Sequence, residues 1–329
     1  MRTSNESTVV SVVIPTVGRE SVLDAVRSAQ TQNGVESEII VVCDSPTVPP
    51  AVADIADVVD RIECTGGQLG AAGARNVGVA AASGEYVAFL DDDDEWLPTK
   101  LQLQVEAARS IEAAGQVPVV SSRIFQRKAG CLPCSAVGPR QVLTAGERPE
   151  DYLFANRLVG FGRPMLPTST LLTTREFALE HQWDASLRRH TDWDWVVRTS
   201  AVSDVDVRQL AEPLVVYTIG SADSASASPD WRSSFEWATR YRAVWTDATL
   251  ADFLASQTLR YALQARDWSG ARDILATIHE HGRPSLRATV SALAGMIPRR
   301  LAEDILVAIG GVGGRKATGT RAQVPAKLA

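Results

Sequence analysis

Five acids stand in a row at Asp91-Asp92-Asp93-Asp94-Glu95, directly after the apolar run Tyr86–Leu90 (YVAFL). Taken alone, an acid run reads as a solvated turn. At the carboxyl end of a buried strand the same carboxylates repel one another unless something positive joins them. A hard divalent cation meets that need, because Mg²⁺ is typically held by one or two carboxylates together with substrate phosphates. Asp91 and Asp93 can share one side of an extended segment. One would then hold the cation while the other reaches a substrate hydroxyl.

A second group lies upstream, in Gly66-Gly67-Gln68-Leu69-Gly70-Ala71-Ala72-Gly73-Ala74-Arg75. Loop amides at a helix N-terminus attract anions, and Arg75 adds a planar donor set for phosphate. Small residues at these spacings also suit close packing of a helix on a sheet, so both readings stand. Neither the P-loop pattern nor G-x-G-x-x-G after a strand is present. Asp44, after the run EIIVVC, is placed to accept from a nucleotide base N–H or to act as a turn residue. Cys131 and Cys134 form a C-x-x-C pair, but no second pair completes a zinc set.

The elements that must position these groups follow from apolar patterning. Val9–Ile14, Glu38–Cys43, Val58–Ile62, Tyr86–Leu90 and Val117–Ser122 read as strands, the last interrupted by Pro118. Helical patterns fall between them at Glu20–Gln32, Ala51–Ala56, Ala71–Ala82 and Leu101–Ala114. The alternation predicts an α/β fold with a mostly parallel, Rossmann-like sheet and flanking helices. In such sheets ligands bind beyond the carboxyl ends of the strands. Pro15-Thr16, Asp44-Ser45 and Asp91–Asp94 should therefore lie along one edge. Thr168–Thr173 and Leu214–Ile219 read as further strands, and Asp192–Ser200 as a helix. Beyond the Ser/Ala-rich stretch 221–228, helices are expected over Trp231–Trp245, Leu250–Gln264, Trp268–His279 and Ser285–Ile309, the last broken at Pro298.

The 329 residues are 45% hydrophobic and 22% charged, with 33 basic and 39 acidic residues for a net charge of -6. That is ordinary globular composition, and the charge does not suggest a nucleic-acid binder. The end is different: from Arg283 to Ala329 there are eight basic residues against Glu303 and Asp304. A basic tail is either solvated or drawn to an anionic surface such as a membrane. No secretory signal or apolar run long enough to span a bilayer is visible, so a cytoplasmic location is the expectation.

Four segments occur in order: SVVIPT at 11–16, EIIVVCDSP at 38–46, GAAGARNVGVAAASGEYVAFLDDDDEWLP at 70–98, and WDASLRRHTDWDWVVR at 183–198. Together they resemble the family 2 glycosyltransferases of GT-A fold, over roughly residues 9–220. The resemblance implies an inverting transferase using a nucleotide-diphosphate sugar, with uridine the commonest nucleotide. Pro15 and Thr16 would border the base, Asp44 would bind it, and Arg75 would lie by the base or diphosphate. The D-x-D signature falls on Asp91-Asp92-Asp93: Asp91 and Asp92 would serve the donor, while Asp93, with Asp91, would ligate Mn²⁺ or Mg²⁺. Asp192 matches the catalytic base. Thr191 stands where the family has glutamate, and no histidine follows the last strand near Tyr217–Ser221, where Ser221 and Ser224 offer hydroxyls instead.

The implied organisation is a flexible start (1–8), a GT-A domain (9–225, with a donor half 9–125 and an acceptor half 126–225), a helical region (226–311) and a disordered basic tail (312–329). The expected partners are the donor, a carbohydrate or lipid-linked acceptor from cell-envelope polysaccharide synthesis, and peripherally a membrane through the basic end. A sugar-phosphate nucleotidyltransferase and a non-catalytic nucleotide-sugar-binding protein are the alternatives. Pro15–Glu20 lacks the glycine-rich signature the first would place there.

Overall fold

The computed structural model describes residues 8–128, 136–155, 163–219 and 229–296. The chain forms two compact units, the first built from residues up to 129 with 142–149 and 166–219, the second from 130–141, 150–165 and 220 onward.

The first unit is organised on one mixed sheet. Its strands are β1 (Val9–Thr16), β2 (Glu36–Cys43), β3 (Arg61–Cys64), β4 (Tyr86–Phe89), β5 (Glu95–Trp96), β6 (Val117–Lys128), β7 (Leu172–Thr174) and β8 (Val205–Ile219). They lie in the order β3-β2-β1-β4-β7-β6-β8-β5. Four of them, β3-β2-β1-β4, are parallel; β1, β4 and the Ile39–Cys43 part of β2 are almost wholly buried, as their apolar runs require. The helices α1 (Val22–Gln30), α2 (Gly70–Ala81) and α3 (Lys100–Ala113) fall between strands. Beyond β4 the sheet turns mixed: β7 runs antiparallel to both β4 and β6, and β5 runs antiparallel to β8.

Register brings the strand ends to one edge. Thr16 pairs with Cys43 and Cys43 with Cys64, while Val13 pairs with Phe89. β4 thus stops short of β1, and the acid run starts level with Pro15 and Thr16. Helix α2 lies close against this half of the sheet. A Cβ on Gly78 would fall 2.3 Å from Val13 Cγ1 and 3.1 Å from Val42 Cγ2. For Gly78 the packing reading of the small residues holds.

Several sequence expectations shift. The strand expected at Val58–Ile62 is a 3₁₀ turn at Ala56–Val58 followed by β3 at Arg61–Cys64. Pro118 does not break β6, which runs twelve residues parallel to β8. Its carbonyl accepts from the Thr173 hydroxyl at 2.7 Å, and Val117 N–H bonds the Asp204 carbonyl at 2.7 Å, so the start of the strand is held without a proline N–H. Thr168–Thr170 is a 3₁₀ turn, because Thr170 Oγ1 and N–H both bond back to the Pro167 carbonyl. The two-residue strand β5 was hidden inside the acid run.

The second unit is helical. Its elements are α5 (Trp231–Thr239), α6 (Asp247–Phe253) running through a π turn (Leu254–Leu259) into α7 (Arg260–Gln264), α8 (Trp268–His281) and α9 (Leu286–Ala294). The side chains of Asp230, Thr246, Asp267 and Ser285 cap α5, α6, α8 and α9. Trp237, Trp245 and Phe253 form its aromatic centre, with centroids 5.3–5.7 Å apart. The break expected at Pro298, the Cys131/Cys134 pair, Gly220, Ser221, Ser224 and the basic tail beyond 296 lie outside the described residues. No helix among the described residues is long and apolar enough to cross a membrane.

Candidate active site

The four acids after β4 do not share one environment. Asp92 turns inward: Thr16 Oγ1 donates to its Oδ2 at 2.6 Å and Arg19 Nη1 to its Oδ1 at 3.0 Å. Burial raises its carboxyl pKa, against the pull of Thr16 and Arg19. Asp94 is also buried, accepting from Thr218 N–H at 2.8 Å and from the Ser169 hydroxyl. Burial, then Asp91 and Asp93, push its carboxyl well above the usual range. Asp91 and Asp93 keep 29% and 24% of their side-chain surface open to solvent. The run alternates, then, but it is the odd members that face the edge and the even ones that anchor the loop.

Arg75 comes to this edge from α2. Its Nη2 donates to Asp91 Oδ1 at 2.6 Å, and its guanidinium carbon lies 4.8 Å from the Trp183 ring centroid. The residue is only 4% exposed, yet its Nε and Nη1 have no protein acceptor. Buried donors without partners are rare in native structures. Trp183 is itself core, stacked on Trp195 at 5.0 Å and edge-on to Phe89 at 5.1 Å.

Asp192 sits in the first turn of α4 (Thr191–Ser200). The helix is entered through His190 in a left-handed conformation (φ 61°), with its ring stacked on Trp193 at 4.6 Å. Asp192 accepts from Trp193 N–H at 2.9 Å. Surrounding protein raises its carboxyl to about 6; the Trp193 amide and Arg75 oppose that rise, and Asp91 adds to it. An ordinary aspartate, with a pKa of about 3.9, is already ionised by pH 5, whereas this one is raised to about 6, closer to neutrality, where a proton acceptor is effective. Asp194 is the structural acid of the pair, buried and bonded to Arg198 at 3.3 Å.

The glycine loop has another use than the expected one. Leu69 N–H and Gly70 N–H donate to Asp44 at 3.1 and 2.8 Å, and the Thr65 hydroxyl donates to it at 2.5 Å. The anion these amides hold is the protein's own carboxylate. Gly66, Gly67, Gln68 and Gly70 all have positive φ, which explains the glycines. A pocket of about 120 Å³ opens here, lined by Pro15, Thr16, Val17, Arg19, Asp44, Gly70, Ala71, Ala74 and Asp92. Four of the six expected donor residues, Pro15, Thr16, Asp44 and Asp92, therefore line one pocket, while Arg75 and Asp91 pair with each other and act on Asp192.

Sequence reasoning missed Arg19, Ser169, Thr218 and Tyr217. Arg19 carried a signal, standing three residues past the end of β1. Tyr217, on β8, is set among Asp94, Asp192, Asp91 and Asp93, and burial followed by their charge raises its phenol pKa. Nothing local in the sequence marks Ser169 or Tyr217, because Ser169 reaches the acids through the turn that leads into β7 beside β4, and Tyr217 through the pairing of β8 with β5.

No group of three or more His, Cys, Asp or Glu is arranged to hold a metal among the described residues. Only Asp91 and Asp93 of the run are open. This donor set fits a cation that takes one or two carboxylates and leaves its other positions to phosphate oxygens and water, as Mg²⁺ does, and does not fit an all-protein cage.

The α/β sheet thus gathers an acid run, a buried arginine and a near-neutral aspartate at one edge. The glycosyl transferase family 2 model matches residues 11–132. The chain is 29% identical to the amylovoran biosynthesis glycosyltransferase AmsB of Erwinia amylovora over 222 residues, 63% of this chain and 68% of that one. It is 36% identical over 104 residues to the Escherichia coli UDP-Glc:alpha-D-GlcNAc-diphosphoundecaprenol beta-1,3-glucosyltransferase WfaP, a match that spans 39% of that protein's length. For the succinoglycan biosynthesis protein ExoO of Rhizobium meliloti the identity is 38% over 98 residues, 27% of its length. The S. aureus TarS structure in complex with UDP-GlcNAc superposes with a TM-score of 0.55 at 17% identity, covering 91% of this chain and 88% of that one, which shows a shared fold. The chain is similar to glycosyl transferase family 2 over residues 11–132 and has the GT-A fold.

Proposed function

We propose that this glycosyltransferase moves a hexose from a uridine-diphosphate donor, with inversion, to a hydroxyl of a lipid-linked or polysaccharide acceptor in cell-envelope synthesis. The relatives supply the acceptor class: AmsB and ExoO carry polysaccharide names, and WfaP is named for a diphosphoundecaprenol acceptor. The donor proposal leans on WfaP's UDP-Glc and on the UDP-GlcNAc bound by TarS. The nucleotide would lie in the pocket between Pro15, Thr16 and Asp44, with its diphosphate toward Arg75.

The observation that carries this reading is the neighbourhood of Asp192. A carboxyl held near pKa 6 sits within electrostatic reach of a buried arginine whose Nε and Nη1 have no protein acceptor. Asp192 accepts the proton of the acceptor hydroxyl as that oxygen attacks the anomeric carbon. Arg75 offers Nε–H and Nη1–H to the departing diphosphate, where negative charge grows. Asp91 and Asp93 would hold Mn²⁺ or Mg²⁺, which supplies neutralisation of the leaving group when bound. Asp92 and Asp94 keep that pair in place from inside.

A donor screen tests the proposal. The chain is incubated with a panel of nucleotide sugars, UDP-glucose and UDP-GlcNAc first, and nucleoside diphosphate release is followed with and without Mn²⁺ and acceptor. Pyrophosphate release from a nucleoside triphosphate and a sugar phosphate, with no turnover of any nucleotide sugar, would replace it with the nucleotidyltransferase reading. Tight nucleotide-sugar binding without turnover on any acceptor would leave the non-catalytic one.

A further inference from the structure

Helix α9 is built inside out. Its small residues Ala288 and Ala292 are buried at 0% and 2% exposure, while Leu286, Val290 and Leu293 stand 79%, 48% and 55% exposed. Met296, just past the helix, is 58% exposed. The spacing 286, 290, 293, 296 keeps these four on one side of a helical path. A surface helix ordinarily turns its large apolar residues to the core and its polar ones to water. Here the alanines seat the helix, Gly295 follows where a Cβ would fall 2.3 Å from the Arg260 carbonyl oxygen, and the large residues face outward. Contiguous apolar surface of this kind marks a contact with another phase or partner.

Charge selects the partner. From Arg283 to Ala302 the sequence holds four arginines (Arg283, Arg287, Arg299, Arg300) and no acid. Arg287 flanks the stripe on α9 itself. A two-fold contact between copies through this stripe would set Arg287 of each copy near the other with no acid in the segment to relieve it. Apolar residues on one face with arginines beside them suit the interface of an anionic bilayer, where leucines enter the acyl boundary and guanidinium groups meet lipid phosphates. We infer that the Leu286/Val290/Leu293/Met296 face of α9, with Arg283 and Arg287, is a docking surface for anionic lipid. The inference refines the proposed lipid-linked acceptor by naming the surface that would bring the enzyme to the membrane.

The test is co-sedimentation of the full chain with vesicles of pure phosphatidylcholine or of phosphatidylcholine with 30% phosphatidylglycerol, a mixture of roughly the anionic content that draws polybasic segments. Wild type should pellet with the anionic vesicles and release as salt rises. Leu286→Ser/Val290→Ser/Leu293→Ser should lose on the order of tenfold or more in vesicle affinity, and Arg283→Gln/Arg287→Gln several-fold. These side chains are exposed, so circular dichroism and turnover on a water-soluble acceptor should match wild type. Equal pelleting of the triple-serine variant and wild type overturns the inference. So does a wild type that ignores vesicles, or a triple variant whose only change is a smaller oligomer by light scattering. Turnover is read in the same samples, so failure of the transferase reading shows as absent diphosphate release whatever the vesicles do.

Discussion

Arg75 Nη2 lies 2.6 Å from Asp91 Oδ1, and this ion pair ties the glycine-rich helix to the acid run. The bond uses one of five guanidinium N–H donors, and Nε and Nη1, which carry three of the others, are buried without an acceptor. The pair therefore orients a charged group whose remaining capacity points to an incoming anion.

Replacing that planar fork with an ammonium should be costly. Arg75→Lys is expected to lower kcat/KM for the nucleotide sugar by roughly 100-fold, the scale for removing one preorganised donor at a developing charge. Steady-state kinetics of diphosphate release measure it. A variant within threefold of wild type would remove Arg75 from the chemistry.

The Asp192 carboxyl sets a pH profile. As the proposed base, Asp192 would work when deprotonated, so kcat/KM should fall as pH drops through about 6 and level off above it. Stability runs the other way. The folded pKa lies above the unfolded value of about 3.9, so protonation favours the fold, and that contribution is lost as pH rises through 6. Asp192→Asn should then be inactive yet more stable than wild type at pH 8, by about 1–3 kcal/mol, with the gain vanishing near pH 4. Chemical denaturation of both proteins at the two pH values checks the sign.

Asp93 and Asp192 should separate binding from chemistry. Asp93→Ala is expected to bind UDP poorly in Mn²⁺ and to be inactive, whereas Asp192→Asn should keep nearly wild-type UDP affinity. Calorimetric titration distinguishes them. Chelation of divalent ions should reproduce the Asp93→Ala behaviour in wild type, and added Mn²⁺ or Mg²⁺ should restore turnover.

Asp94 acts on the loop from beneath. Asp94→Ala strands the Thr218 N–H and the Ser169 hydroxyl, and should cost about 1–3 kcal/mol of stability. Asp94→Asn keeps an acceptor for Thr218 and should cost less. Thermal melts of the two variants order them, and equal melts would deny Asp94 its anchoring role.

Gly78→Ala should be more disruptive than its surface chemistry suggests. The added methyl carbon meets Val13 and Val42 on the sheet, and overpacking of this kind typically costs about 1–3 kcal/mol. Gly115, whose Cβ would meet nothing within 4 Å, sits at φ +79° instead, so Gly115→Ala isolates backbone strain from crowding. Urea unfolding of both variants compares the two.

The parallel part of the sheet was legible because its information is local. β1, β2 and β4 announce themselves as β-branched runs, and the residues just past them must lie at one edge whatever the loops do. Arg75 and Asp192 are placed by helices that begin within a few residues of recognisable signals. What stayed hidden depends on pairing between distant segments. β5 is two residues long and is strand only because Glu95 and Trp96 pair with Val216 and Val215. Ser169 meets Asp94 across 75 residues of chain, and Tyr217 reaches the acids through the same pairing. The sorting of four adjacent aspartates into two open and two buried was likewise unreadable, since it is set by Thr16, Arg19, Ser169 and Thr218 rather than by their own spacing.

Asp44 gives the pocket a built-in competition. Its carboxylate already holds the Thr65 hydroxyl and the amides of Leu69 and Gly70, so any ligand group that bonds it must share or displace one of those donors. Tightening on the ligand then means loosening residues 65–70, the segment that leads into the helix carrying Arg75. A ligand that bonded Asp44 would in this way act on the approach to the Arg75 guanidinium.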